Sequence, residues 1–326
     1  MRRFKNILCV LTVTSQEQDA IERAVSLAER NQARLTFVGV IERISLGMGM
    51  PDGGPISSQL RSVMLESCQQ SLECLVAPYR ARVDFDARVL VGVQFIEVIR
   101  EVLRFGNDLL VKAAENPNWL DRLLGSEDMH LLRKCPCPVW LIKPSSPKTY
   151  RRILAAVDLG YTYPQEEMET RRRLNRHVFE LASSLAHTES AELHVVYAWE
   201  ATGESAMRSG LMRMGAAQVD TYVEEVRQIS QTSMQKFLHE CSNDPERRLP
   251  DRPELVEHLV KGPPREVIPA LAHSVNADLV VMGTVARTGI PGIFMGNTAE
   301  LILSQLDCAV LAVKPARFVT PVTLER

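Results

Sequence analysis

One internal repeat limits what this 326-residue chain can fold into more than any other feature of its sequence. Five short segments of the first half recur in the second half in the same order. The spacing between partners grows along the chain, which indicates insertions in the second copy, the largest around residues 161–173. The paired segments are 6–11 with 152–157, 33–40 with 191–198, 97–99 with 266–268, 108–111 with 278–281, and 137–144 with 308–315. The repeat therefore predicts two similar domains in tandem.

The junction between the copies is a short stretch rich in proline and serine, residues 144–149. Neither a helix nor a strand continues through Pro144 and Pro147, since proline lacks the backbone N–H that both ladders need. Each copy spans about 150 residues, which is the usual size of one domain. We therefore expect a first domain over residues 1–147 and a second over residues 148–326.

Within each copy, short apolar runs alternate with amphipathic stretches. The runs are rich in β-branched residues and apolar on both faces, which is typical of strands buried between helix layers. In the second copy they are 153–157, 193–198, 255–260, 279–282 and 310–313. This alternation predicts an α/β fold with two tandem, doubly wound parallel sheets and right-handed crossovers. In such folds, ligands bind at the carboxyl ends of the strands.

Two of the amphipathic stretches have apolar residues at helical spacing, and each predicts a helix with one buried face. Residues 174–185 place Val178, Leu181 and Leu185 on one face. For residues 219–238, the spacing predicts a buried face formed by Tyr222, Val226, Ile229, Ser233 and Phe237.

Composition excludes several classes of protein. Lys+Arg 38 against Asp+Glu 40 leave a formal net charge of -2, so we expect no general attraction to nucleic acid or to a membrane surface. The seven cysteines form no CxxC pair, which argues against a disulfide framework and a zinc cage and favours a reducing compartment. No apolar run reaches the roughly 18 residues of a membrane span, and residues 1–13 do not read as a signal peptide. The expected location is the cytoplasm.

A glycine-rich loop follows the predicted strand at 279–282. Its glycines, at 283, 289, 292 and 296, would let backbone N–H groups approach an anion without a Cβ in the way. Arg287 adds a fixed positive charge. The loop has neither the P-loop spacing nor GxGxxG. Glycine loops alone are weak signals, and the alternative is that these glycines only form turns.

A helix is expected to begin directly after the loop. Its free N–H groups and the positive end of its dipole would then face the ligand. Asn297 or Thr298 can cap this helix, and Glu300 can complete a capping box from Asn297.

The loop resembles the nucleotide-binding signature of the universal stress protein family, which reads Gly, two residues, Gly, nine residues, Gly and then Ser or Thr. Gly283 matches the first glycine and Gly296 the last, but Ala286 stands at the second glycine and Asn297 at the Ser/Thr position. The similarity extends over nearly the whole chain twice. Residues 128–136 and 296–300 are closest to the tandem subgroup of that family.

The resemblance implies a HUP-type fold and a regulatory stress-response protein that binds ATP or AMP, with or without Mg²⁺, in its second domain. It places Asp158, after the first strand, at the adenine and Val195, in the second strand, at a backbone contact. No general base is identifiable, so no catalytic residue is assigned and hydrolysis would at most be slow. The candidate ligand-binding residues are Asp158, Val195, Gly283, Ala286, Arg287, Gly289, Gly296, Asn297 and Thr298.

The resemblance also bears on partners. Single-domain relatives commonly dimerise, so a tandem chain is expected as a pseudo-dimeric monomer or a homodimer. A regulatory output would act through a conformational change or through a regulatory protein partner that the sequence does not identify. The substitution at Ala286 leaves a second hypothesis open, a scaffold that keeps the fold without a nucleotide, and a third, a carrier of another small molecule.

The first copy has lost most of the nucleotide signature. Its equivalent loop, residues 112–126, lacks the early glycines and carries Glu115 and Asp121 where phosphates would lie. Thr12 stands where the second copy has its aspartate, and only Gly125-Ser126 survives, which can be explained as a helix start. Because like charges repel at an anion site, we expect a structural or regulatory domain without nucleotide.

Three other groups of residues were weighed as sites. Asp128 and His130 are too few ligands for a metal and do not share a helix face, so a solvated first turn is favoured. Cys135 and Cys137 would form a redox pair, but their prolines and the apolar run that follows favour packing. The charged residues 166–173 are interpreted as a solvated helix face with internal charge pairing.

Overall fold

Strands and helices alternate along the chain, as the apolar runs predict. The computed structural model describes residues 4–12, 17–42, 55–114, 126–143, 146–161, 163–209, 214–243, 254–284, 295–316 and 318–324. The chain divides into an N-terminal unit, Met1–Lys148 with Cys308–Lys314 and Phe318–Arg326, and a C-terminal unit, Thr149–Asp307 with Pro315–Arg317. The sequence division at 147/148 does not foresee that the last strand is grouped with the first unit.

The N-terminal unit alternates strands and helices and receives its last strand from the end of the chain. Its elements are β1 Asn6–Leu11, α1 Gln18–Asn31, β2 Arg34–Ile41, α2 Pro55–Val76, β3 Phe85–Val91, α3 Gln94–Phe105, β4 Leu109–Ala113, α4 Glu127–Lys134 and β5 Val139–Ile142, together with β10 Ala309–Val313.

The sheet of this unit has the strand order β3-β2-β1-β4-β5-β10. Strands β1 to β5 pair in parallel, with Cys9 of β1 opposite Phe37 of β2 on one side and Val111 of β4 on the other. Strand β10 pairs with β5 in the antiparallel sense, with Leu311 opposite Trp140. The sheet is therefore mostly parallel rather than wholly parallel, because β10 enters it from a different part of the chain.

The C-terminal unit follows the same alternation. Its elements are β6 Arg152–Ala156, α5 Gln165–Glu189, β7 Glu192–Trp199, α6 Glu204–Arg208, α7 Ala216–Ser242, β8 Leu255–Lys261, α8 Pro264–Ser274, β9 Leu279–Gly283 and α9 Asn297–Leu303.

The sheet of this unit has the order β9-β6-β7-β8, and each of these pairs is parallel. Strands β6 and β9 are almost wholly buried, as expected for central strands. Strand β8 differs from the expectation of a strand buried on both faces, because every residue in it is at least partly exposed. It lies at the edge of the order, where one side has no neighbouring strand within the unit.

The two predicted helices are present, but one buried face differs from the prediction. In α5, Val178, Leu181 and Leu185 are buried as expected. In α7, Ile229 is 45% exposed, and the buried face is formed by Val219, Val226, Ser230, Met234, Phe237 and Leu238. Val226 and Phe237 are buried as predicted, whereas Tyr222 and Ser233 are only partly buried. The helix instead turns the small polar Ser230 inward, where it hydrogen-bonds with Tyr197 of β7.

Within the parts of the chain that the structure describes, none of the helices combines the length and the apolar composition needed to span a membrane.

A histidine pair across β7 and β8 predicts a loss of stability in acid. His194 Nδ1 and His258 Nε2 are 2.9 Å apart, and Glu192 Oε2 lies 3.4 Å from His194 Nε2. Burial, together with His194, lowers the pKa of His258. The unfolded chain therefore binds more protons, so the free energy of unfolding should fall as the pH drops below about 6.5. Urea unfolding at pH 5, 6 and 7 measures this slope.

The matched control for this prediction is the exposed His273 on α8. His258→Asn should flatten the slope between pH 5 and pH 7, whereas His273→Asn should leave it unchanged. An equal effect of the two substitutions would show that the pair of His194 and His258 is not the source of the pH dependence of unfolding.

Candidate functional site

A cavity of about 570 Å³ opens at the carboxyl ends of β6, β7 and β9 in the C-terminal unit. This is where parallel sheets bind their ligands. The volume falls within the range of small-molecule sites in proteins. Side chains from α5, α7, α8 and α9 complete its wall.

Four of the predicted site residues line this cavity: Asp158, Gly283, Gly296 and Thr298. They come from two segments more than a hundred positions apart, which the sheet brings together. Asn297 does not line the cavity and is exposed at the first position of α9. Ala286, Arg287 and Gly289 lie outside the described residues.

Val195, the second-strand residue that the resemblance implies, is not among the residues that line the cavity. Val195 lies inside β7, fully buried, opposite Ala155 of β6. The residues of β7 that line the cavity are nearer its carboxyl end: Tyr197, Ala198 and Trp199.

Hydrogen bonds with Asn175 and Gly160 fix the position of Asp158. Its N–H donates to Asn175 Oδ1 at 3.0 Å, and Asn175 Nδ2 donates to the Asp158 carbonyl at 2.5 Å. The N–H of Gly160 donates to Asp158 Oδ1 at 3.2 Å. Asn175 is buried on α5, so the first helix of the unit fixes the turn that follows its first strand. The carboxylate itself remains 46% exposed.

Arg171 and Tyr163 both contact the Asp158 carboxylate. Arg171 Nη1 forms an ion pair with Asp158 Oδ2, and the Tyr163 hydroxyl donates to the same oxygen at 3.2 Å. The Arg171 guanidinium lies over the Tyr163 ring, 3.5 Å from its centroid, and Glu167 lies 3.7 Å from Arg171 Nη2. The interpretation of residues 166–173 as a solvated face is therefore wrong for Arg171, whose side chain is 11% exposed.

The environment of this carboxylate shifts the titration of its neighbours. Burial, with a contribution from Asp158, raises the pKa of Tyr163 to about 12. Burial likewise raises the pKa of Tyr197. Both phenols therefore stay protonated at neutral pH and can donate hydrogen bonds into the cavity. The wall is aromatic with a few polar groups, which is the usual composition of a ligand site.

Gly283 lies where β9 meets the cavity, and no side chain fits at this position. A Cβ placed on it would lie 2.6 Å from Leu174 Cδ2 and 3.0 Å from Leu174 Cγ. Leu174 is buried on α5 and also lines the cavity, so a Cβ at residue 283 would push its side chain out of its packed position toward that space. The glycine therefore favours the observed packing and keeps the cavity open.

Gly283→Ala is expected to destabilise the protein by about 1–3 kcal/mol, the usual cost of overpacking a core. In a Leu174→Val background, which removes the contacting Cδ2, the same change should cost less. Urea unfolding of the four proteins measures the coupling. Equal costs in both backgrounds would show that Leu174 is not what excludes a side chain.

The start of α9 differs from the prediction. Gly296 is the N-cap, with no hydrogen bond from a side chain, and Asn297 is already helical. The proposed cap by Asn297 or Thr298 and the capping box to Glu300 are therefore wrong. The backbone N–H of Gly296 instead donates to the Thr284 carbonyl at 3.1 Å, which brings the two ends of the loop together. Since α9 has only 7 residues, the case for a ligand rests on the cavity rather than on this helix.

The N-terminal unit has a different arrangement at the corresponding place. Thr12 follows β1 as Asp158 follows β6, and its N–H donates to Glu17 Oε1 at 2.8 Å, as the Asp158 N–H does to Asn175. Glu17 is 3% exposed, and burial raises its pKa. The buried carboxyl of Glu17 in the N-terminal unit thus corresponds to the amide of Asn175 in the C-terminal unit.

A buried ion pair occupies a second corresponding place. Lys112 and Asp128 take the repeat positions that Met282 and Ala299 have in the cavity wall of the C-terminal unit. Lys112 Nζ lies 2.7 Å from Asp128 Oδ1, and the side chains are 1% and 6% exposed. The prediction that Asp128 lies in a solvated turn is therefore wrong.

Other predictions for this unit have mixed outcomes. Ser126 caps α4 by accepting from the Met129 N–H at 3.2 Å, so its interpretation as a helix start is confirmed. His130 stacks on Phe95, with ring centroids 4.4 Å apart. Glu115 and Asp121 lie outside the described residues. Among the residues that are described, no group of three or more His, Cys, Asp or Glu side chains could hold a metal ion.

Sequence reasoning missed three residues of the site: Tyr163, Arg171 and Asn175. The signal that could have found the first two is the insertion at 161–173, which adds chain directly after Asp158. Asn175 could have been found as a polar residue on the buried face of the helix at 174–185.

Comparisons with known proteins agree with this architecture. The sequence model of the universal stress protein family matches residues 3–143 and 149–314. Universal stress protein E of Salmonella typhi is 30% identical, with 100% of this chain and 99% of that protein covered. The universal stress protein E homolog of Haemophilus influenzae is 29% identical, with 97% and 99% covered. The crystal structure of a universal stress protein from Pseudomonas aeruginosa UCBPP-PA14 has a TM-score of 0.65 at 25% identity and covers 97% of this chain and 95% of its own.

Proposed function

Because the chain belongs to the universal stress protein family, with one matching region in each half, we propose that its C-terminal unit binds an adenine nucleotide, ATP or AMP, and acts as a regulatory protein in the stress response. The observation that carries the proposal is the cavity of about 570 Å³ at the carboxyl ends of β6, β7 and β9. Asp158, Gly283 and Gly296 are among the residues that line it.

Different lining residues suit different parts of the ligand. The Asp158 carboxylate accepts hydrogen bonds and the Tyr197 ring offers an aromatic surface, so we assign these two residues to the adenosine. Gly283 and Gly296, at the two ends of the glycine loop, let the backbone come close to phosphates. If Mg²⁺ accompanies the nucleotide, it is expected to be held mainly by the phosphates.

A regulatory role fits this geometry better than catalysis does. Among the described residues that line the cavity there is no histidine, and the carboxylates are those of Asp158 and Glu200. The Asp158 carboxylate already accepts from Arg171 and Tyr163, so it is a poor base for activating water. The output would then be a change of shape or partner on binding. Whether the chain is a pseudo-dimeric monomer or a homodimer remains part of the proposal.

One observation favours a second function, an interaction scaffold without nucleotide. The Asp158 carboxylate already accepts from Arg171 and Tyr163, so a ligand must share it with them or displace them. If the free energy of displacing Arg171 and Tyr163 exceeds the binding free energy that the cavity contributes, the protein keeps its fold but binds no nucleotide.

Thermal unfolding of the full-length protein with ATP, AMP or tripolyphosphate distinguishes the two functions. Nucleotide at a hundred times its dissociation constant stabilises the native state by about 2.7 kcal/mol, a rise of roughly 5–10 °C in the midpoint. Tripolyphosphate is the control, because it carries the charge without the adenosine. No rise with ATP or AMP, together with no nucleotide released on denaturing fresh protein, would favour the scaffold.

A further inference from the structure

Two cysteine sulfurs are in contact in the N-terminal unit. Cys135 ends α4, and Cys137 follows it by two positions, just before β5. Their Sγ atoms are 3.5 Å apart, and the chain bends at Pro136 and Cys137 so that both face the same side. The side chains are 0% and 7% exposed. A bend that already brings two sulfurs into contact leaves only a short movement to the bonding distance of about 2.05 Å.

A buried lysine acts on this pair. Lys314 belongs to the same unit, is 6% exposed, and donates from Nζ to the carbonyl of Leu132 in the last turn of α4. Its charge interacts with Cys135. Burial lowers the pKa of Lys314 to about 7, so the amine can take up or release a proton near neutrality. A thiolate at Cys135 and an ammonium at Lys314 would stabilise each other.

The two sulfurs are not equivalent. The hydrogen bond to Cys135, followed by burial, raises the pKa of Cys137 well above its usual value. Asp108 acts in the same direction. Cys137 therefore keeps its proton at neutral pH. Cys135 is the sulfur that interacts with the charge of Lys314. Attack belongs to Cys135 and resolution to Cys137.

We propose that Cys135 and Cys137 are a redox-active pair that a small peroxide converts to a reversible intramolecular disulfide. Cys135, whose proton passes to Lys314, attacks one oxygen of hydrogen peroxide. The O–O bond breaks, Cys135 becomes a sulfenic acid, and the leaving hydroxide takes the proton from Lys314 to form water. The Cys137 sulfur then attacks the Cys135 sulfur, the S–O bond breaks, and a second water leaves. The two thiols lose two electrons, and the peroxide gains them. Because both sulfurs are buried, the oxidant must be small.

Peptide mapping after brief treatment of the folded protein with hydrogen peroxide tests the proposal. Trypsin cuts after Lys134 and Lys148 but spares Lys143 before Pro144, so residues 135–148 form one peptide whose only cysteines are Cys135 and Cys137. We expect this peptide to lose two hydrogen atoms, to resist alkylation and to regain both thiols with dithiothreitol.

Single substitutions identify the role of each sulfur. Cys137→Ser should leave a sulfenic acid on Cys135 that dimedone captures, whereas Cys135→Ser should give no adduct on Cys137. Lys314→Gln should slow disulfide formation several-fold, and Lys314→Arg should slow it too, because a guanidinium stays protonated and cannot take up the Cys135 proton. Circular dichroism checks that both variants are folded. The exposed Cys74 serves as an internal reference whose rate none of these changes should alter.

Three results would overturn the proposal. The first is a peptide that stays reduced while Cys74 is oxidised. The second is a bond that joins two chains rather than the two sulfurs of one chain. The third is an equal rate in wild type and Lys314→Gln, since the buried lysine would then have no part in the reaction.

Discussion

Replacing Lys112 by methionine alone is expected to lower the free energy of unfolding by about 3–5 kcal/mol, the usual cost of leaving one charge of a buried pair without its partner. Asp128 would then keep its carboxylate 4% exposed and opposite an apolar side chain. Replacing Asp128 by alanine should cost a similar amount, since the ammonium of Lys112 lies 2.7 Å from the lost oxygen. Urea unfolding of the full-length chain, followed by circular dichroism, measures both costs.

The double replacement should recover most of this loss. Lys112→Met with Asp128→Ala installs the residues that the C-terminal unit carries at the same repeat positions, Met282 and Ala299. Replacing both partners of a buried pair by apolar residues is often neutral or stabilising. The matched control is the exposed pair of Arg88 with Asp86, where Asp86→Asn should cost at most about 1 kcal/mol. If Lys112→Met costs no more than that, the pair contributes nothing beyond a surface contact.

The alternation of strands and helices was predictable because the repeat and the apolar runs are properties of the sequence alone. Residues 279–282 carry four consecutive apolar side chains, which point to both faces of a strand and must be buried on both. They therefore predict a central strand. Whether a strand lies at the edge of its sheet is harder to predict, because this depends on which neighbouring strands it lacks in the folded unit. The run at 255–260 is interrupted by Glu257 and His258, and β8 lies half-exposed at the edge of its unit's order.

The position of the site was also predictable, but its contacts were not. The carboxyl ends of parallel strands meet at one edge, which is enough to bring Asp158 and Gly283 to the same cavity. The contacts of Arg171 with Asp158 and Tyr163 depend on how an insertion folds back. A charged helix segment gives no sign of which arginine turns inward, because the others in it pair on the surface.

The buried ion pair of Lys112 with Asp128 was not predicted, for a related reason. The sequence places Lys112 at the start of the loop 112–126, whereas the structure places it in β4. Asp128 lies in a predicted helix start, and neither segment alone indicates the other as a partner. A charge that looks solvated locally becomes buried only when its partner arrives from another element. Two charges at positions that are apolar in the other copy were the available signal.

Placing the same pair in the C-terminal unit is expected to abolish binding of the nucleotide. Met282→Lys with Ala299→Asp puts two longer polar side chains into the wall of the cavity and a carboxylate near the proposed phosphates. ATP that stabilises the wild type by about 2.7 kcal/mol, at a hundred times its dissociation constant, should then give no rise in the midpoint. The N-terminal unit already holds such a pair at these positions, so the double variant is expected to fold.

Met282→Leu is the control for this experiment, because it conserves volume and should keep the nucleotide-dependent rise. Circular dichroism of the double variant without ligand shows whether the fold is retained. A rise equal to that of the wild type, in a folded double variant, would place the nucleotide somewhere other than this cavity. Loss of the rise in the double variant alone would mean that the side chains at 282 and 299 decide between a ligand site and a closed core. The difference between the two repeats would then rest on two positions rather than on the glycine loop alone.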